Sequence, residues 1–243
     1  MTLLINKTYE PTDLDERIVK DQVRALSHYA LKMFLRGAPF AVNGVLRRRF
    51  YVRTFKMWEY ARGLAFSQIR PPMRVLDFGG GATLPVFFLA ERGCEVVSVD
   101  INQRFTDYAN AFAARHALRL TASSRDLVSS PVPEDWGMFD RIISFCVIEH
   151  LPQDAQVPTM KKLAGLLRPG GIMAVTFDFG PQAPSEWPLR SRQDVDRLVR
   201  ESGLRLIGNT DFRSVDRFYV IDKKYPHAKF TLGSLFLTTP TPG

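Results

Sequence analysis

A chain of 243 residues, 45% of them hydrophobic, is long enough to bury one sizeable core and fits one large α/β domain or a domain with a small cap. Two cysteines, Cys94 and Cys146, exclude a disulfide framework and a four-ligand zinc site, and the absence of any run of 18 apolar residues excludes a membrane-spanning helix. The net charge of +8 admits an anionic partner, whether nucleic acid, an acidic lipid surface or a phosphorylated small substrate, but an arginine-rich solvated surface is the simpler account of it.

The N-terminal stretch MTLLINKTYEPTDLDER lacks the basic flank, apolar core and cleavage site of a secretory signal, so a reducing cytoplasm is the expected location. Apolar residues at three- and four-residue spacing predict a helix from about Asp13 to Arg36, stopped by Gly37 and Pro39. A second helix is predicted from about Val45 to Phe66, and Arg70-Pro71-Pro72 closes the region. From there short apolar strands alternate with helices, the pattern of a parallel sheet with crossover helices. Strands are predicted at Arg74–Phe78, Glu95–Val99, Leu118–Ala122, Asp140–Phe145 and Ile172–Phe177. The intervening helices are Leu84–Arg92, Phe105–His116 and Val157–Leu167, with a further one at Gln193–Ser202. Arg205–Gly208 and Lys229–Thr238 are read as a final antiparallel pair. Residues 1–70 are accordingly expected to form a helical, substrate-side cap, and residues 71–243 the main domain.

The first strand-to-helix turn is Asp77-Phe78-Gly79-Gly80-Gly81-Ala82-Thr83. Glycines there permit positive φ and remove side chains that would block a ligand, while the next helix offers free N–H groups. The dinucleotide spacing would put a third glycine at position 84, where Leu84 stands. An acid at Asp77 repels pyrophosphate and suits a cationic ligand such as an amino group. Asp100 closes the second strand, where a carboxylate accepts hydrogen bonds from both ribose hydroxyls of an adenosine.

In order along the chain, VLDFGGGAT, SVDIN, SRDLV, FDRIISFCVIEHLP and LLRPGGIMAVTF resemble the successive motifs of the class I S-adenosylmethionine-dependent methyltransferases. The resemblance covers about Met73 to Gly208 and is nearest to the small-molecule enzymes whose fourth motif ends in Glu-His-Leu. It implies a Rossmann-like α/β fold. The sheet would have seven mostly parallel strands, the last antiparallel, with helices on both faces. The implied cofactor is S-adenosyl-L-methionine. Gly79, Gly80 and Gly81 would lie against its methionine part, Asp77 near its amino group, and Asp100 with Ile101 at the ribose. Asp126 would face the adenine amino group, the Leu127 N–H the ring edge, and Phe145 the sulfonium end. Thr83 departs from the family, which commonly has a third glycine there.

Methyl transfer from a sulfonium is an in-line displacement, so positioning is the main requirement and a base is optional. His150, after Glu149 at the end of the fourth strand, is the best base candidate; His28, His116 and His227 are weaker. No spacing of His, Cys and Asp suggests a metal. The acceptor pocket is expected among the N-terminal helices, the loop Phe177–Leu189 and the insertion Thr210–Phe230. Their aromatic residues include Tyr29, Tyr51, Tyr60, Trp187 and Tyr219. Arg47-Arg48-Arg49 with Phe50, Tyr51 and Arg53 forms a basic patch, either a solvated helix face with Phe50 turned inward or a grip for phosphate or RNA. The sequence thus points to methylation of a small-molecule acceptor, for which the net charge admits an anionic one, at O, N or C. RNA methylation through the basic patch, or cofactor binding without transfer, are the alternatives. Monomer and homodimer both remain open.

Overall fold

The structure, a computed structural model, describes residues 5–215, 217 and 227–240. In chain order the elements are β1 (Lys7–Thr8), α1 (Arg17–Leu35), β2 (Phe40–Val42), β3 (Val45–Arg47), α2 (Thr54–Ser67), β4 (Arg74–Phe78), α3 (Leu84–Glu91), β5 (Glu95–Val99), α4 (Gln103–His116), β6 (Leu120–Ser123), β7 (Phe139–Phe145), α5 (Gln153–Ala164), β8 (Leu167–Phe179), α6 (Arg192–Ser202), β9 (Arg205–Leu206) and β10 (Thr231–Thr238). Five strands run parallel in the order β6-β5-β4-β7-β8, and β10 joins β8 antiparallel, with Leu235 opposite Val175.

The sheet has eight strands rather than the expected seven. Beyond β10 two short strands share one edge: β1 pairs with Gly233 and Ser234, and β9 with Leu237 and Thr238. Asn6 fastens the join. Its amide donates to the carbonyls of Ile207 (2.6 Å) and Asn209 (3.1 Å), and its oxygen accepts from the Phe236 N–H (2.7 Å). Lys7 reaches the buried Asp13 at 2.6 Å, which also accepts from the Trp58 indole N–H at 2.9 Å. The N-terminal segment is therefore part of the sheet and is tied to α2.

Three further expectations are corrected. The helix predicted from Val45 to Phe66 begins only at Thr54. Asn43 and Gly44, with φ of 49° and 71°, make a left-handed two-residue turn, so β2 and β3 form a hairpin instead. The helix predicted at Val157–Leu167 spans Gln153–Ala164, with Pro158 inside it. The strand expected at Ile172–Phe177 starts at Leu167, because Phe139 pairs with Leu167 and Arg141 with Ile172, leaving a bulge around Pro169-Gly170-Gly171.

Helices α1 to α4 bury their apolar faces on one side of the sheet and α5 and α6 on the other. The run Met57–Ser67 of α2 is buried at every position, against β7, β8 and β10. Because β4 pairs with both β5 and β7, and the chain crosses to opposite faces on either side, a crevice opens at the carboxyl ends of these strands. No helix among the described residues is long and apolar enough to cross a membrane.

Candidate functional site

The crevice is a cleft of about 470 Å³ between the ends of β4, β5 and β7, lined by Gly79, Asp100, Ile101, Leu127, Cys146 and His150 among others. The turn after β4 is fixed from beneath. Asp77 is buried, accepts a hydrogen bond from Ser98 Oγ at 2.6 Å and lies directly under Gly80, whose N–H it also accepts. A side chain at Gly80 would collide with that carboxylate. Gly81 has φ of 53°, and a Cβ there would sit 2.9 Å from Asp100 Oδ2. Burial, the larger effect, and the nearby Asp100 push Asp77 up to about 7, although Ser98 and Gly80 pull it back.

Asp100 stands at the end of β5, its Oδ1 accepting from the Asn102 N–H at 2.8 Å, and burial raises its pKa. Beside it Ile101 is 77% exposed, an unusual state for a large apolar residue and a flat floor for a ring. Across the cleft, Asp126 accepts from the Val128 N–H (2.9 Å) and Ser129 Oγ (2.6 Å), and these bonds, Ser129 first, lower its pKa. Leu127 is buried and lines the cleft. The sequence-predicted cofactor residues Gly79, Asp100, Ile101, Asp126 and Leu127 thus line one cleft, and Asp77, Gly80 and Gly81 support the turn at its rim.

Phe145, at the end of β7, lies against α2, its ring centroid 5.9 Å from that of Tyr60 and its edge filling the space left by Gly63. Cys146 follows with φ of 62°, and burial raises its thiol pKa well above the usual range. Glu149 is fully buried; its Oε1 accepts from the Asp178 N–H at 2.9 Å, Oε2 has no hydrogen bond, and burial raises its pKa. His150 is exposed at the cleft rim with Nδ1 on the Glu186 carboxylate. The sequence spacing gives no metal cluster, yet the fold brings ligand-type atoms of Cys146, Glu149 and His150 within 4.8 Å of one another.

The acceptor candidates scatter. Tyr29 is buried between α1 and α3, its hydroxyl donating to Glu91 at 3.0 Å at the far end of α3 from the glycine turn, so it is not brought to the cleft. Tyr51 is half exposed on the loop after β3. Trp187 sits beside the catalytic candidates through its main chain, its backbone N–H donating to the Glu149 carbonyl at 2.8 Å. Tyr219 lies outside the described residues. His116 stacks on Phe112 at 4.3 Å.

The residues that do meet beside Phe145 come from the first turns of α2. Lys56 pairs with Glu59 at 2.8 Å, the fully buried Glu59 accepts from Thr176 Oγ1 at 2.7 Å, and Tyr60 packs on Phe145. Burial opposes the charge on Lys56, but Cys146, Glu59 and Tyr60 outweigh it and hold the ammonium well above its usual pKa; burial likewise raises Tyr60. Two donors, an ammonium and a phenol, therefore face this corner. The β2–β3 hairpin closes it from outside, with the Ala41 N–H donating to the Ala82 carbonyl of the glycine turn at 2.7 Å. Tyr60 was legible as an aromatic; Lys56 and Glu59 were not. Their i, i+3, i+4 spacing marks one face in the first turns of a helix that begins at Thr54, not of one that begins at Val45.

Residues 75–171, β4 through the start of β8, match the family model described as a methyltransferase domain. Over that stretch the chain is similar to the class I methyltransferases. The family's methyl donor is S-adenosylmethionine. A ribosomal RNA small subunit methyltransferase B from Thermus thermophilus is 45% identical over 67 residues, 28% of this chain and 17% of that protein. A ubiquinone biosynthesis O-methyltransferase from Acinetobacter baylyi is 25% identical over 126 residues, 51% of this chain and 50% of that protein. The chain spans only 17% to 50% of the length of the curated relatives it matches. Among solved structures, the 4+2 cyclase SpnF superposes with a TM-score of 0.60 at 16% identity, over 91% of this chain and 96% of that one. That likeness concerns the fold alone, since one fold carries several chemistries.

Proposed function

We propose that the protein transfers the methyl group of S-adenosylmethionine to a small acceptor held between α2, the β2–β3 hairpin and the end of β7. The observation that carries this is Asp100. Its carboxylate stands at the mouth of the cleft beside the glycine turn, with the exposed Ile101 next to it, where an adenosine ribose and its base fit together. The cofactor supplies an activated methyl group; the protein supplies alignment and a dry corner. Asp77 and Asp100 make the turn negative, which favours the cationic methionine end.

On the acceptor side Lys56 and Tyr60 point to an oxygen that is anionic or becomes so in the reaction. His150 is the base in this scheme: Glu186 on Nδ1 orients the ring and leaves Nε2 to take a proton. Glu149 fixes the loop that carries His150, and the backbone N–H of Trp187 ties that loop to the segment after β8. The enclosed corner supports a small acceptor over an RNA strand, although two relatives act on ribosomal RNA by their names. The N-terminal 70 residues belong to the acceptor side in this scheme.

Calorimetric titration with S-adenosylmethionine, S-adenosylhomocysteine and NAD tests the cofactor. Micromolar binding of both adenosyl ligands, none of NAD, and loss of about 100-fold or more in Asp100→Ala are expected, from two charge-assisted hydrogen bonds of about 1.5–3 kcal/mol each. Folded protein that binds neither adenosyl ligand sinks the proposal.

A further inference from the structure

Outside the cleft, the molecule concentrates apolar and cationic groups on one small surface. Of the large hydrophobic residues exposed among the described ones, Leu31, Leu35, Val45, Phe50 and Tyr51 lie on the end of α1, on β3 and on the loop after it, with Leu35 73% exposed and Phe50 54%. Phe34, Phe50 and Tyr51 form an edge-to-face chain with centroid separations of 5.5 and 5.3 Å. Because α2 begins only at Thr54, Phe50 does not turn inward from a helix face but stands out from a loop.

Arginines surround these groups. Arg48 lies over the Phe34 ring at 4.7 Å and donates to its carbonyl at 3.1 Å, and Arg49 lies over Tyr51 at 5.6 Å. Residues 37–58 contain Arg47, Arg48, Arg49, Arg53 and Lys56 and no Asp or Glu. The neighbouring cations Lys32 and Arg36 are neutralised by Glu91, but none of the ion pairs found among the described residues involves Arg47, Arg48, Arg49 or Arg53. Four arginines without acidic partners surround an aliphatic and aromatic prominence. Exposed apolar surface of this kind is unfavourable in water and marks a contact site.

We propose that this surface docks the protein on an anionic phospholipid membrane, with Phe50, Tyr51 and Leu35 entering the headgroup–acyl boundary and Arg47, Arg48, Arg49 and Arg53 on lipid phosphates. Two observations favour a bilayer over a nucleic acid. Leu31, Leu35 and Val45 have no use on an RNA strand, where aromatic rings and cations suffice, whereas aliphatic side chains gain by leaving water for lipid. The aromatic rings are also packed edge to face on one another, which leaves no open sandwich for a base. The same hairpin and loop wall the corner at Lys56 and Tyr60, so docking would set that corner at the lipid surface.

Vesicle co-sedimentation tests this with the full chain. The wild type is expected to bind phosphatidylcholine vesicles containing 30% phosphatidylglycerol, to bind pure phosphatidylcholine vesicles far less, and to lose binding between low and high salt. A juxtamembrane arginine strengthens binding roughly five-fold, so Arg47→Glu with Arg49→Glu should weaken partitioning more than tenfold. Phe50→Ser with Tyr51→Ser should weaken it at unchanged charge. Lys161→Glu with Arg200→Glu, on the helices of the opposite face, should not, although it changes the net charge equally. Circular dichroism and melting confirm that each variant is folded. Overturning results are a wild type that ignores acidic vesicles, patch variants that bind like the wild type, a control pair that loses as much as the arginine pair, or binding of a 20-nucleotide single-stranded RNA that the patch variants lose while vesicle binding is untouched.

Discussion

Among single residues, Asp77 carries the sharpest consequence. A carboxylate raised to about 7 by burial is half protonated near neutrality, and a cationic methionine end placed above it favours the charged form. Adenosyl-ligand affinity is therefore expected to rise between pH 6 and 8, as the free protein sheds the proton by itself, and to level off above. Near pH 7, binding should release protons, so the calorimetric enthalpy should change with the ionisation heat of the buffer. Asp77→Asn should remove that buffer dependence, and buffer-independent binding by the wild type would refute the assignment. Lys56 makes a second case. A buried Lys–Glu pair contributes little to stability compared with apolar packing, so its position beside Phe145 and Cys146 points to use at the acceptor. Lys56→Met should leave S-adenosylhomocysteine affinity within about two-fold and lower turnover of the acceptor at least ~10-fold, the scale of losing one preorganised donor. An equal fall in cofactor affinity would place Lys56 in the wrong half of the site.

At the scale of elements, what the sequence made legible was what local chemistry decides alone. The βα units from β4 to β7 alternate cleanly in hydrophobicity, and the glycine turn stands where strand periodicity ends, so the cofactor half was readable to within a few residues. The hairpin β2–β3 was not, because Leu46 and Phe50 continue the helical spacing of the residues after them and so mask the Asn43-Gly44 turn. β1 was illegible for another reason: two residues pairing with a strand more than 220 positions away carry no local pattern. Its importance shows only in three dimensions, through Asn6. That side chain is fully buried with at least three bonds to Ile207, Asn209 and Phe236, and an Asn6→Ala substitution leaves those groups without partners. A loss of about 2–4 kcal/mol is expected, with a melting temperature lower by about 5–12 °C in differential scanning calorimetry. A shift under one degree would mean that the edge of β10 holds without the N-terminal segment.

For the whole molecule, the division at residue 70 suggested by the change of pattern can be set against the packing. The N-terminal residues are not laid over a finished domain. They give β1 to the sheet edge, and α2 lies against β7, β8 and β10 with every position from Met57 to Ser67 buried. Ile143, Ala174 and Phe236 of the sheet share one apolar cluster with α1 and α2. Removing residues 1–70 would expose that face and the β10 edge together, and an uncovered sheet face beside an unpaired strand is a template for aggregation. We therefore expect residues 71–243 expressed alone to be insoluble, or to lack the near-ultraviolet circular dichroism of fixed aromatic packing, whereas the full chain unfolds in one cooperative transition. A soluble 71–243 fragment with native-like aromatic signals and adenosyl-ligand binding would instead make residue 70 a true domain boundary. It would also turn α1, α2 and the hairpin into an appended acceptor module, and the corner at Lys56 would then be separable from the cofactor cleft.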